Sequence, residues 1–366
     1  MSSSLDPAPR PRPLDGLRVV DLSSSVAGQY AGRLLAMQGA DVVLVEPAEG
    51  TPTRRTPPLS PDGTESYLFR HLNQGKRTAA APLAELLDGA DVVLRDQGAP
   101  LPVPPAATVV DCELGDFPPD GPYAGWRGSE MVHQALSGVM NATGSVDREP
   151  IYGLGQRASY ATGTTAYISV LAALHERRRS GRGQRVRASV FESTAAMGQN
   201  LVSQASYNGT EETRAAYPGF LAVLRCRDAW VVLFAIRNWP SLCRVFGLDE
   251  LLDDPRFSTS GDRLANWPAV VERLRERAAA MAADDVVAGL QRGRVSAEKV
   301  TGLAELVESE QWRVRSMLGE VGDPATGTET ALRRLFVVDD ADGPVDADVP
   351  GPSPRLPVGE PAGSAR

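Results

Sequence analysis

The first third of this 366-residue sequence predicts a doubly wound α/β fold, followed by a smaller α+β domain. Three observations carry the prediction. Short runs rich in Val and Leu recur at Arg18–Leu22 (RVVDL), Asp41–Glu46 (DVVLVE), Ala90–Leu94 (ADVVL) and Ala107–Val110 (ATVV). Near-continuous apolar runs of that length suit strands buried on both faces of a parallel sheet. A segment of helical period separates the first two, so strand, helix and strand follow one another as in a βαβ unit of about 30 residues. From Tyr217 the composition changes, and two alternating segments are followed by amphipathic ones.

Each element follows from local chemistry. In Val26–Met37, the residues Val26, Tyr30, Leu34 and Leu35 share one helical face. Gly39 closes that helix at a position that favours left-handed backbone. The stretch after the first strand, SSSVAGQYAG, holds Gly28 and Gly32, which lack G-x-G-x-x-G spacing and argue against a nicotinamide or flavin site. Residues 98–106 (GAPLPVPPA) are a proline-rich connection, and residues 130–142 read as helical, ended by Gly144. Ala161–Arg179 is the strongest helix. It is Ala-rich, its last turn carries Arg177–Arg179 against the helix dipole, and Gly181 and Gly183 stop it. Arg185–Val190 alternates like a strand, and 192–206 reads as another helix. LAVLRCRDAWVVLFAI reads as a hairpin turning at Arg227-Asp228, with helices after it, and Thr301–Met317 reads as helical. The expected organisation is a large domain over 13–206, a small α+β domain over 217–300, and a return to the large domain over 301–360.

Composition narrows the function. The chain is 42% hydrophobic and 23% charged, which is ordinary for a globular protein. A formal net charge of −8 argues against a non-specific grip on nucleic acid. Cys112, Cys226 and Cys243 are odd in number and far apart, so they read as small apolar filler rather than a disulfide framework or a zinc site. His71 and His175 have no neighbours at metal-ligand spacing, and no metal is expected. The N-terminus lacks the apolar core of a signal peptide, and no apolar run approaches the ~18 residues of a membrane span. The expectation is a soluble, cytoplasmic protein with no membrane partner. Residues 1–12 and about 340–366 read as loosely ordered.

Six segments in sequence carry a family resemblance. They are GLRVVDLSSSVAGQYAGRLLAMQGADVVLVEP, NQGKRT at Asn73–Thr78, DGPYAGWRGSEMVHQALSGVMNATG at 120–144, LAALHERRRSGRGQRVRASVFES at 171–193, GLDELLDDPRF at 247–257, and PSPRLPVGEP near the C-terminus. In that order they resemble CoA-transferase family III, which includes formyl-CoA and carnitine CoA-transferases and α-methylacyl-CoA racemases. The resemblance spans residues 13–360. It implies a Rossmann-like large domain built from both ends of the chain, with the smaller domain between. It also implies an interlocked dimer, homodimeric or paired with a homologous subunit. The active site would lie between the large domain of one chain and the small domain of the other. The implied substrate is an acyl thioester of coenzyme A, with a carrier-linked thioester as the alternative. On the coenzyme side the implied residues are Ser25, Val26, Asn73, Lys76 and Arg77. The Lys76-Arg77 pair suits a phosphate grip, against the plainer reading of solvated surface charge.

The resemblance also exposes departures. The family's nucleophilic aspartate precedes the strong helix in a D-x-x-x-G setting. Here that stretch reads RASYATG, and counting back from Gly163 places Ser159 at the aspartate position. A serine needs a base, and its oxygen ester is a less activated acyl group than an anhydride. The alternative is that Ser159 starts the helix as an N-cap-like residue. The racemase branch has a GHD-like stretch where this chain has Gly128-Ser129-Glu130. His133 lies one turn after Glu130, so the two read either as a replacement acid/base couple near Ser159 or as a polar helix face. Arg95-Asp96-Gln97-Gly98 replaces the family's Glu-Asn-Phe/Tyr stretch on the nucleotide side. Asp21 and Glu46 read as loop-fixing residues, and Trp126, Trp230 and Trp239 as core or interface anchors. The expected function is an enzyme acting on an acyl thioester with altered chemistry. Acyl transfer through Ser159, or dehydration or epimerisation by Glu130 and His133, are its forms. The alternatives are a non-catalytic partner subunit of a CoA-transferase-like complex and a CoA-transferase with a displaced carboxylate.

Overall fold

The computed structural model describes residues 12–79, 81–210, 214, 219–235, 237–323 and 327–332. The chain divides into two compact units. One comprises the chain up to Arg214 together with the chain from Arg313 onward, and the other comprises Ala215–Trp312.

The first unit is built on six parallel strands: β1 (Arg18–Asp21), β2 (Asp41–Leu44), β3 (Arg77–Thr78), β4 (Val92–Asp96), β5 (Val110–Gly115) and β6 (Arg185–Ser189). Their order is β3-β2-β1-β4-β5-β6. The chain steps outward from β1 to β3, then returns to build β4–β6 on the other side. The strand order therefore reverses between β1 and β4, and a crevice opens at their C-terminal ends.

Alternate strand residues face opposite layers. Val19, Val42 and Val92 point toward the layer containing α1 (Val26–Met37). Val20, Val43 and Val93 point the other way. Beyond α1 come α2 (Tyr67–Asn73), α3 (Leu83–Leu87), α4 (Glu130–Leu136), α5 (Arg157–Ser180), α6 (Val190–Met197) and α7 (Gln199–Asn208). Leu86 and Leu87 of α3 cover the second face, whereas Ala166, Val170 and Ala173 of α5 join α1 on the first. The α1 and α5 backbones approach closely at Gly163, where an added Cβ would lie 2.6 Å from the Ala27 carbonyl oxygen.

The second unit has an antiparallel sheet of β7 (Leu221–Arg225), β8 (Trp230–Phe234) and β9 (Ser296–Lys299), in the order β7-β8-β9. Its inward residues Ala222, Leu224, Val231 and Leu233 pack with α8 (Trp239–Phe246), α10 (Trp267–Ala278) and α11 (Ala283–Arg292); the short α9 (Ser260–Ala265) lies between the first two in sequence. Trp239 and Trp267 belong to this core, and Trp267 Nε1 donates to the Leu221 carbonyl at 2.9 Å.

Several boundaries differ from the sequence expectation. The segment expected to be helical over 130–142 stops at Leu136, because Gly138 adopts φ +81° and turns the chain. The helix expected over 192–206 is two, α6 and α7, broken at Gly198. Thr301–Met317 holds two short helices, α12 (Leu303–Val307) and α13 (Glu310–Val314), separated at Glu308-Ser309. The strand expected over Ala107–Val110 is β5, which begins rather than ends at Val110. Beyond α13, β10 (Leu318–Asp323) pairs antiparallel with β11 (Gly327–Leu332). The terminal PSPRLPVGEP segment and most of the two ends expected to be loosely ordered lie outside the described residues.

Candidate active site

Ser159 reaches a cavity of about 320 Å³ at the C-terminal edge of the parallel sheet. Ser25 enters it from the turn after β1, Asp96 from the end of β4, Asp116 and Phe117 from beyond β5, and Trp126 from the following loop. This is the crevice at the β1/β4 reversal, where ligands bind in open α/β sheets.

Ser159 is not the N-cap of α5. Gln156 holds that position without a side-chain hydrogen bond, and Ser159 is the third helical residue. The cap comes instead from Glu130, the first residue of α4. Glu130 Oε2 accepts from the Ala158 N–H at 2.9 Å, and Oε1 accepts from the Ser159 N–H at 2.9 Å and from Ser159 Oγ at 2.6 Å. A carboxylate at a helix N-terminus meets both unsatisfied N–H groups and the positive end of the dipole. This external cap also explains why α5 starts at Arg157, four residues before the expected Ala161.

Glu130 and His133 do not form a couple. Glu130 is taken up by α5, and His133 Nε2 lies 3.2 Å from Asp116 Oδ1. The His133 ring is buried against Phe117, and its Nδ1 has no hydrogen-bond partner among the described residues. Asp116 also accepts from the Gly128 N–H at 2.9 Å. An added Cβ at Gly128 would lie 2.1 Å from His133 Nε2, so this close approach requires glycine. The hydrogen bond with His133 holds the Asp116 carboxyl below its ordinary value, against partial burial and with help from Gly128.

Asp96 is the second carboxylate in the cavity. It accepts from the Ser24 N–H at 2.7 Å and the Ser25 N–H at 3.4 Å. Burial pushes its carboxyl above the ordinary value, while the serine donors pull it down. Asp96 entered the sequence reading only as part of an atypical stretch, and Asp116 did not enter it. The only available signal was position, since both sit where a buried strand ends. Trp126, read as an anchor, is 55% exposed and lines the cavity.

The coenzyme-side residues separate. Ser25 caps α1 by accepting from the Gly28 N–H and faces the cavity, and Val26 is the first residue of that helix. Lys76 is wholly buried. Its Nζ donates to Asp21 Oδ2 at 2.8 Å, the Gln29 carbonyl at 2.7 Å and Asn73 Oδ1 at 2.7 Å. All three donors are spent on protein acceptors, and the Lys76 side chain lies outside the cavity lining. Asn73 belongs to the same network, donating to Gln29 Oε1 and the Phe69 carbonyl. Arg77 is half-exposed and bonded to Asp41 at 2.6 and 2.8 Å, away from the cavity residues. Asp21 also accepts from Ser23, and Glu46 from Thr51 and Arg54, so both fix loops. Arg95 is bonded to Asp111 and Glu113 on the neighbouring strand.

A second hollow, about 380 Å³, lies at the opposite sheet edge beside Asp91, His175 and Arg177. Its Arg177 is paired with Asp91, and it presents no buried polar group. Among the described residues no group of three or more His, Cys, Asp or Glu is placed to hold a metal ion. No described helix is long and apolar enough to cross a membrane.

Comparison with known proteins points to one family. Residues 14–97 and 106–353 match the profile described as CoA-transferase family III. The sequence is 29% identical over 360 residues to a succinyl-CoA:mesaconate CoA-transferase of Haloarcula marismortui, covering 87% of this chain and 88% of that one. It is 28% identical over 377 residues to a formyl-CoA:oxalate CoA-transferase of Streptomyces avermitilis, covering 91% and 90%. The crystal structure of a CAIB/BAIF family protein from Brucella suis superposes with a TM-score of 0.82 at 28% identity, covering 95% of this chain and 97% of that one.

Proposed function

The chain belongs to CoA-transferase family III, and from that premise we propose that it acts on an acyl thioester of coenzyme A by acyl transfer through Ser159. One observation carries the reading: the Ser159 hydroxyl faces the cavity while donating a 2.6 Å hydrogen bond to Glu130. That is the nucleophile–base spacing of covalent catalysis. In the proposed step the Oγ proton passes to Glu130 as Oγ attacks the thioester carbonyl. The C–S bond breaks, coenzyme A leaves as thiolate, and the acyl group remains as an ester on Ser159. The α5 N–H groups keep Glu130 in register for that transfer. An oxygen ester is less activated than a thioester, so return to coenzyme A is unfavourable. The reaction class is therefore transfer to an oxygen acceptor or water rather than exchange of CoA between acids.

The same premise supports a Rossmann-like large domain and an interlocked dimer, for which sedimentation at micromolar concentration is the check: a compact monomer would refute the dimer. For the chemistry, the protein is incubated with short acyl-CoA donors and weighed intact. The expected result is an acyl adduct and release of free CoA, both abolished by Ser159→Ala. Robust CoA release by Ser159→Ala would refute the serine pathway. Turnover that appears only on adding a homologous chain with an aspartate at this position would favour the partner-subunit reading.

A further inference from the structure

Resting on that proposed function, we propose that the acyl group accepted beside Ser159 carries no carboxylate of its own, and that Asp96 and Asp116 enforce this selection. The argument starts from the backbone donors around the cavity. Three sets of N–H groups stand where a ligand carboxylate would seek neutralisation, and each already holds a carboxylate of the protein. The Ser24 and Ser25 N–H groups hold Asp96, at 2.7 and 3.4 Å. The Ala158 and Ser159 N–H groups hold Glu130, both at 2.9 Å. The Gly128 N–H holds Asp116, at 2.9 Å.

No cationic side chain stands in their place. Among the described residues lining the cavity there is no Lys, Arg or His, and the two charged ones are Asp96 and Asp116. His133 sits behind Asp116 with its Nε2 turned to that carboxylate. Two buried cations of the same unit are committed elsewhere, Lys76 to Asp21 and Arg95 to Asp111 and Glu113, and Arg127 and Arg157 are exposed and outside the lining. The rest of the wall combines the neutral polar side chains of Ser25, Gln97 and Ser159 with apolar surface from Ala27, Leu114, Phe117, Trp126 and Val190. An anionic acyl end entering here meets like charge with no cation in the lining to offset its desolvation, whereas a hydrocarbon end brings no charge to desolvate and meets aromatic and aliphatic surface. This selection departs from the dicarboxylic acids in the names of the relatives.

Butyryl-CoA and succinyl-CoA test the proposal directly, since they differ by a terminal methyl against a terminal carboxylate on the same chain length. Binding of each to the Ser159→Ala protein is measured by calorimetry, and CoA release is measured with the wild type. The expected result is a preference for butyryl-CoA of at least about tenfold in both, the effect of roughly one unfavourable charge contact. Asp116→Asn and Asp96→Asn, which keep an acceptor oxygen for the backbone donors, are each expected to shrink the ratio. Equal or tighter binding of succinyl-CoA overturns the selection while leaving the thioester function standing. Failure of both thioesters to bind overturns the proposed function and this inference with it. A wild-type preference unmoved by either Asn variant overturns the roles given to Asp96 and Asp116.

Discussion

Removing the Glu130 carboxylate tests its structural and chemical roles separately. It accepts three hydrogen bonds at the start of α5, a helix whose own N-cap residue supplies none. Loss of a capping oxygen costs about 1 kcal/mol, and loss of a negative charge at a helix N-terminus costs about 0.3–1 kcal/mol. The Ser159 hydroxyl also loses a charged acceptor, in a site that solvent partly reaches. Glu130→Ala is therefore expected to destabilise the first unit by about 2 kcal/mol. Glu130→Gln keeps one acceptor oxygen and is expected to cost about half as much. Urea unfolding at constant slope gives the global value, and hydrogen exchange of the 157–162 amides gives the local one. If Glu130 is the base, both variants lose about 10²–10⁴ in the rate of CoA release, with thioester affinity little changed. A Glu130→Ala protein within about 0.5 kcal/mol of wild type and with unchanged amide protection refutes the cap. Wild-type turnover in Glu130→Gln refutes the base while leaving the cap intact.

Other consequences follow from buried and crowded charge. Lys76→Met leaves Asp21 buried and unpaired, and the expected cost is about 3–5 kcal/mol by chemical denaturation; a loss below ~1 kcal/mol would mean water enters the site. His71 is driven down to about 3 by burial and by Arg33, whose Nη1 lies 2.5 Å from its Nδ1. Its folded-state value lies below the unfolded ~6.5, so the folded protein binds fewer protons between those values, and its contribution is present above pH ~6.5 and lost as pH falls toward 3. Between pH 7.5 and 5.5 that loss is about 1 kcal/mol, allowing for the ring's partial exposure, and it should vanish in His71→Gln; identical pH profiles for the two proteins would rule it out. Ser159→Asp sets a second carboxylate where a hydroxyl now lies 2.6 Å from Glu130. Two such groups cannot both ionise freely, so CoA exchange between acids should be restored only weakly, and full exchange at neutral pH would contradict the Glu130 geometry.

The parallel strands were legible because their signal is local. Val19–Val20, Val42–Val43 and Val92–Val93 are buried on both faces, and runs of that kind have few other uses. The helix N-terminus at Arg157 was not legible, since its cap arrives from a residue 28 positions away. The Lys76-Arg77 pair shows a third case. Adjacent in sequence, the two read as one basic patch. Lys76 ends the connection before β3 and Arg77 begins that strand, and here one is sealed among Asp21, Asn73 and Gln29 while the other faces solvent beside Asp41. Composition and spacing carry no term for that divergence.

The same point changes how Ser159 is to be read. Taken alone, serine in place of an aspartate looks like a lost nucleophile. In the folded chain residue 159 and residue 130 share one helix N-terminus, and that terminus offers a fixed set of N–H donors. Glu130 already fills it with a carboxylate, so an acid at 159 would add a like charge within hydrogen-bond distance, whereas a hydroxyl adds a donor to an existing acceptor. Serine is the residue that completes this arrangement electrostatically. The residue lining the cavity carries a neutral hydroxyl with its proton acceptor beside it, and the proposed ester-forming chemistry rests on that arrangement.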